Sequence, residues 1–91
     1  MYRLEWRPLA ENDLAGIVEY IGQDNPERAE SFAAELRAKA ELLRENPKMY
    51  RKSRFRGIHE LVAHPNYIIL YRIIGQTVEV LRIKHTSQNW P

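Results

Sequence analysis

Two short interruptions, Pro65-Asn66 and Gly75-Gln76, cut the C-terminal part of the chain into three apolar runs, 58–64, 67–74 and 77–84. Runs of that length, rich in Ile, Val, Leu and Tyr and parted by turn-forming residues, read as strands joined by tight hairpins. Consecutive strands joined this way are antiparallel, and the sheet they form has an apolar face that the rest of the chain must cover.

The cover lies before Pro47. Leu14, Ile17, Val18 and Ile21 recur at i, i+3, i+4 and i+7, which predicts an amphipathic helix over 10–23 with Glu11, Asp13 and Glu19 on its polar face. Asp24-Asn25-Pro26 then stops and restarts the pattern, because Asn25 can cap orphan backbone donors while Pro26 takes the first helical position. In the second helix Ala29, Phe32, Ala33, Leu36, Ala40 and Leu43 share one face until Asn46-Pro47. Ahead of both, Tyr2, Leu4 and Trp6 alternate with Arg3, Glu5 and Arg7, a half-buried strand that Pro8 ends. The expected fold is a single α+β domain over 1–91. Its order is β-α-α-β-β-β, with an N-terminal helical hairpin packed on an antiparallel-rich sheet.

A chain of 91 residues has room for one core and one site. It has no cysteine, so neither disulfides nor a thiolate metal site can hold the domain together. The longest apolar run, 67–71, is far short of the ~20 residues a bilayer demands, and the opening MYRLEWRP lacks a leader's apolar stretch. A cytoplasmic protein with no membrane contact is expected.

The net charge of +2 conceals a division at Pro47. Residues 1–47 hold six Lys/Arg against ten Asp/Glu, a balance of −4, whereas 48–91 hold eight against two, a balance of +6. A concentrated basic half suits phosphates or an acidic protein surface, since clustered like charge raises the local potential.

The densest basic feature is Arg51-Lys52-Ser53-Arg54-Phe55-Arg56, followed by Gly57. Such a segment can grip phosphates and stack a base, although a solvated loop ahead of a strand has the same composition. Arg72, Arg82 and Lys84 sit within the strand runs, where a charge turned inward needs a partner, and together they suggest a positively charged sheet face. For Arg72 a cross-strand pair with Glu60 or Glu79 is an equal reading. Target or nucleic-acid contacts are therefore expected from Arg51, Lys52, Arg54, Phe55, Arg72, Lys84 and Trp90.

His59, His64 and His85 are the side chains suited to proton transfer near neutrality. His59 reads as structural. His85, beside Lys84 where the last strand runs out, is placed to reach a ribose or phosphate. No glycine-framed nucleophile elbow and no phosphate-binding glycine loop occurs, which argues against acyl transfer and ATP hydrolysis by those templates. With His59 and His64 five apart and cysteine absent, metal binding is a poor reading, and no cofactor is called for. Trp90-Pro91 reads first as a packing anchor.

The whole chain resembles the ParE branch of the RelE/ParE toxin superfamily. The resemblance is carried by Gly57 to Arg72, with its His64-Pro65-Asn66-Tyr67 core and Tyr71-Arg72, by Trp6-Arg7-Pro8-Leu9-Ala10 with Asp13-Leu14 and Tyr20-Ile21, and by Val80 to His85 with Trp90-Pro91. It implies a growth-arresting toxin neutralised by a cognate antitoxin, with DNA gyrase as the partner it blocks. The alternative it implies is a RelE-like endonuclease that cuts messenger RNA on the ribosome through attack of the 2′-hydroxyl on the adjacent phosphate. In that case the catalytic group would be His85 with Arg54, Arg56 and Arg82. Ile68 stands near a place where RelE has arginine, Thr86, Gln88 and Trp90 occupy the tail, and Asn66 replaces an acidic partner used by some nuclease branches.

Overall fold

Pro8 closes the first strand, β1 (Arg3–Trp6), and opens the first helix, α1 (Pro8–Gly22), in a computed structural model that describes residues 1–87. Proline suits that junction because the first helical N–H has no partner to lose. Trp90, expected as an anchor and contact, lies outside the described residues. The second helix, α2 (Pro26–Glu41), starts as its sequence predicts, with the Asn25 side chain accepting the Arg28 N–H at 3.0 Å. Its far end differs from the periodicity, which runs to Leu43. The chain tightens instead into a 3₁₀ turn at Leu42–Arg44, a common ending, and makes another at Pro47–Met49.

Strands β2 (His59–His64), β3 (Tyr67–Ile74) and β4 (Thr77–His85) follow as two hairpins. Gly75, at φ 58°, supplies the positive dihedral that a tight hairpin turn needs. The sheet order is β1-β4-β3-β2, with β1 parallel to β4 and the other pairs antiparallel. The parallel pair follows from the helical hairpin, which acts as the long crossover that a parallel connection requires. In β4, Arg82 faces Leu70 and Val80 faces Tyr71, so Leu81 is the extra residue of a bulge.

The core fills the space between the helices and one sheet face. Ala10 and Leu14 of α1, with Phe32, Leu36 and Ala40 of α2, meet Leu61, Ile69, Tyr71, Val78, Val80 and Ile83. No helix among the described residues is long and apolar enough to cross a membrane.

Candidate functional site

β1 pairs with β4 only as far as Val80, where the Arg7 N–H donates to the Val80 carbonyl at 2.9 Å. Beyond it the end of β4 needs another partner, and α1 supplies one. Both Asp13 carboxylate oxygens take the Arg82 guanidinium, at 2.8 and 3.0 Å, and Oδ2 also accepts the Ile83 N–H at 2.9 Å. The fork stabilises the Arg82 cation and raises its pKa further, with hydrogen bonding to Asp13 as the main cause. Asp13 looked like an ordinary polar-face residue in the sequence. No local signal reveals a partner 69 positions away.

Above this fork α1 and the end of β4 enclose an open cleft of about 410 Å³, lined by Asn12, Asp13, Tyr20, Tyr67, His85 and Ser87 among others. His85 meets Tyr67 edge to face, with ring centroids 5.1 Å apart. Its Nδ1 accepts the Ser87 N–H at 3.0 Å, which puts the neutral ring's proton on Nε2. Thr86 ties the strand end to the β2–β3 turn through an N–H bond to the Asn66 carbonyl at 2.8 Å. Tyr67 was read as the start of a strand run and as part of the family motif; the structure places it against both His64 and Phe32 as well. Among the described residues no group of three or more His, Asp or Glu side chains converges as a metal site would require.

Arg54 and Arg56 are elsewhere. Their loop returns along the outer edge of β2, with Ser53 N–H donating to the Ile58 carbonyl at 2.8 Å and Lys52 bridging His59. His59 is level with Tyr71, whereas His85 is level with Tyr67. Four residues of β3, about 13 Å, separate the two levels, before the steps across strands of about 4.8 Å each are added. The structure therefore divides the expected quartet. His85 lies at one end of the sheet, Arg82 sits mid-sheet opposite Leu70 and is engaged by Asp13, and Arg54 and Arg56 lie in the loop outside β2, toward the other end.

The sheet face is also less positive than the sequence suggests. Arg72 pairs with Glu79 at 2.6 Å, directly across the β3–β4 ladder, and Arg51 pairs with Glu60 at 2.5 Å. Both of these cations found the carboxylate that the register placed beside them. Lys84 follows Ile68 in register and lies on the opposite side of β4 from His85. Val62 and Ile74, about half exposed at 49% and 54%, give this surface an apolar component instead.

His59 is held against Tyr71 in a stacked arrangement, centroids 5.3 Å apart, with its Nδ1 buried and unpartnered. Desolvation, with Lys52 nearby, pushes its pKa below the ordinary histidine value of 6.5. In this pH range the unfolded chain then binds the proton more readily than the native one. Stability should be full above pH 6.5 and fall as the pH drops through it toward the lower folded value. Urea midpoints measured across that range should show the fall, and a His59→Phe variant should flatten it; an equal slope in both proteins would refute the assignment.

Comparison with known proteins adds a family to this geometry. The family described as "ParE toxin of type II toxin-antitoxin system, parDE" matches residues 4–90. Toxin RelE2 of Caulobacter vibrioides is 37% identical over 83 residues, 91% of this chain and 91% of that protein. Toxin ParE1 of the same organism is 34% identical over 90 residues, 97% of this chain and 91% of that one. A solved chain of the chromosomal ParDE TA system from P. aeruginosa superposes with a TM-score of 0.85 at 24% identity, covering 93% of this chain and 96% of that chain. In the E. coli DinJ-YafQ complex a chain superposes at 0.62 with 14% identity, covering 93% of each, a likeness of fold alone.

Proposed function

The chain belongs to the ParE toxin family of type II toxin–antitoxin systems, and on that premise we propose that it arrests growth by binding DNA gyrase, protein to protein, until a cognate antitoxin neutralises it. The observation that carries this reading is the division of the cationic quartet. Cleavage of RNA by 2′-hydroxyl attack needs a base, an acid and cations gathered around one phosphorus. Here Arg82 is engaged by Asp13, and Arg54 and Arg56 belong to a loop outside β2, across β3 and β2 from β4 and on the order of 13 Å along the strands from His85. A surface with apolar residues among neutralised ion pairs suits a protein partner better than a phosphodiester.

Names among the relatives span both branches of the superfamily, RelE2 and ParE1, so they do not choose the target. One observation favours the ribonuclease reading, the placement of His85 in an open cleft beside Tyr67. Adding the toxin separately to gyrase with relaxed plasmid and to ribosomes programmed with messenger RNA decides between the two. Supercoiling should stop while the RNA stays whole, and His85→Ala should inhibit gyrase within about twofold of the parent, as a substitution outside the contact does. Cut RNA, with cutting abolished by His85→Ala, would overturn the gyrase reading.

A further inference from the structure

Between Glu45 and Glu60 the chain has no acidic residue, yet it carries Lys48, Arg51, Lys52, Arg54 and Arg56. Arg51 is neutralised by Glu60. Lys48, Lys52 and Arg56 have no carboxylate partner among the described residues, and the Arg54 guanidinium lies over the Phe55 ring, 5.3 Å from its centroid. Of the strand cations, Arg72 and Arg82 are compensated by Glu79 and Asp13, while Arg3 and Lys84 have no carboxylate partner among the described residues. Of the described cations left without a carboxylate, Lys48, Lys52 and Arg56 fall closest together in the chain.

The loop is also shaped in advance. The Glu60 N–H donates to the Arg51 carbonyl at 3.0 Å and the Ser53 N–H to that of Ile58 at 2.8 Å, so the two arms pair. At the tip Ser53 Oγ accepts the Phe55 N–H at 3.0 Å and donates to the Phe55 carbonyl at 3.1 Å. The turn closes through the Ile58 N–H to the Phe55 carbonyl at 3.1 Å, with Gly57 at φ 79° in the third position. A side chain there would be strained, and a bound partner has little backbone left to order.

We propose that this hairpin, with the turn ahead of it, is a nucleic-acid contact in its own right, in which Lys48, Lys52 and Arg56 hold the phosphate backbone of duplex DNA without reading its sequence. Binding single strands calls for exposed rings on which unstacked bases lie. The loop's one ring, Phe55, is half-buried and covered by Arg54, so the loop offers charge rather than a stacking platform. Duplex DNA, with one charge per about 1.7 Å of axis, is the denser polyanion for closely spaced cations. The contact does not rest on gyrase being the target.

Fluorescence anisotropy with a labelled mixed-sequence duplex of about 20 base pairs, in the absence of gyrase, tests it across about 50–200 mM salt. Three phosphate contacts predict a slope of log affinity against log salt of about −2.7, and Lys52→Ala with Arg56→Ala should bring it to about −0.9. Arg56→Lys should bind like the parent, since charge and not a fork is read, and antitoxin binding by every variant reports an intact fold. Three results would each overturn the proposal: no duplex binding at the lowest salt, an unchanged slope in the double alanine variant, or tighter binding of single-stranded RNA of equal length. Because gyrase is left out, failure of the gyrase reading leaves this outcome untouched.

Discussion

Replacing Tyr71 with alanine is expected to cost the chain about 4–6 kcal/mol of stability. Tyr71 is fully buried in the middle of β3, level with His59 on one side and Val80 on the other. Its ring stacks on His59, and its hydroxyl donates to the Pro47 carbonyl at 2.5 Å, tying the 3₁₀ turn that leads into the basic hairpin down onto the sheet. Burial pushes the phenol well above the ordinary tyrosine range, so it stays a neutral donor at any ordinary pH. Removing a buried aromatic side chain costs about 3–5 kcal/mol through lost burial and the cavity left behind. The orphaned carbonyl adds about 1 kcal/mol. A domain of this size holds only about 5–14 kcal/mol in all, so at least about a third of the stability goes. Tyr71→Phe keeps the ring and loses only the bond, so its cost should be about 1–2 kcal/mol. Urea midpoints of the two variants measure the difference. Equal midpoints would show that the ring is not the centre of the core.

The same residue shows how far the sequence is legible. The apolar run 67–74 placed Tyr71 in a strand, and the short turns around it gave that strand its antiparallel neighbours, because such information is local. The 3.6-residue period of both helices and the Asn25-Pro26 start were equally readable for the same reason. The partner of the Tyr71 hydroxyl, a carbonyl 24 residues earlier, was not. Nor was the parallel pairing of β1 with β4, since periodicity gives each strand's faces and not the order of strands in a sheet. Arg72 was narrowed to Glu60 or Glu79, and only the ladder register selects Glu79. For the candidate site the residue types were readable and their grouping was not. His85, Arg82, Arg54 and Arg56 read as one set because all are cationic or titratable. Strand order and the outer-edge course of the basic loop separate them, and both are properties of the closed sheet.

Asp13→Ala is expected to cost about 2 kcal/mol, a larger loss than a residue on the polar face of a helix normally brings. The carboxylate answers two needs at once, the Ile83 N–H left over where β1 stops and the Arg82 guanidinium. Both partners of the ion pair keep some exposure, 35% for Arg82 and 17% for Asp13, so solvent screening holds the charge contribution to about 1 kcal/mol. The rest, about 1 kcal/mol, comes from the backbone bond, a charge-assisted one on an edge that nothing else covers. Asp13→Asn separates the two, since an amide oxygen can still accept the Ile83 N–H, and it should lose only about half as much. Denaturation of the cycle formed by Asp13→Ala, Arg82→Ala and the double variant should give a coupling of about 1 kcal/mol, and a coupling of zero would sink the argument. Amide exchange at Ile83 should quicken in Asp13→Ala and stay slow in Asp13→Asn. This outcome also governs how loss of toxicity in Arg82→Ala is read: if β4 beyond Val80 depends on the fork, that loss reports a strand end that has come away from α1, and His85 with it, rather than a cation missing from a transition state.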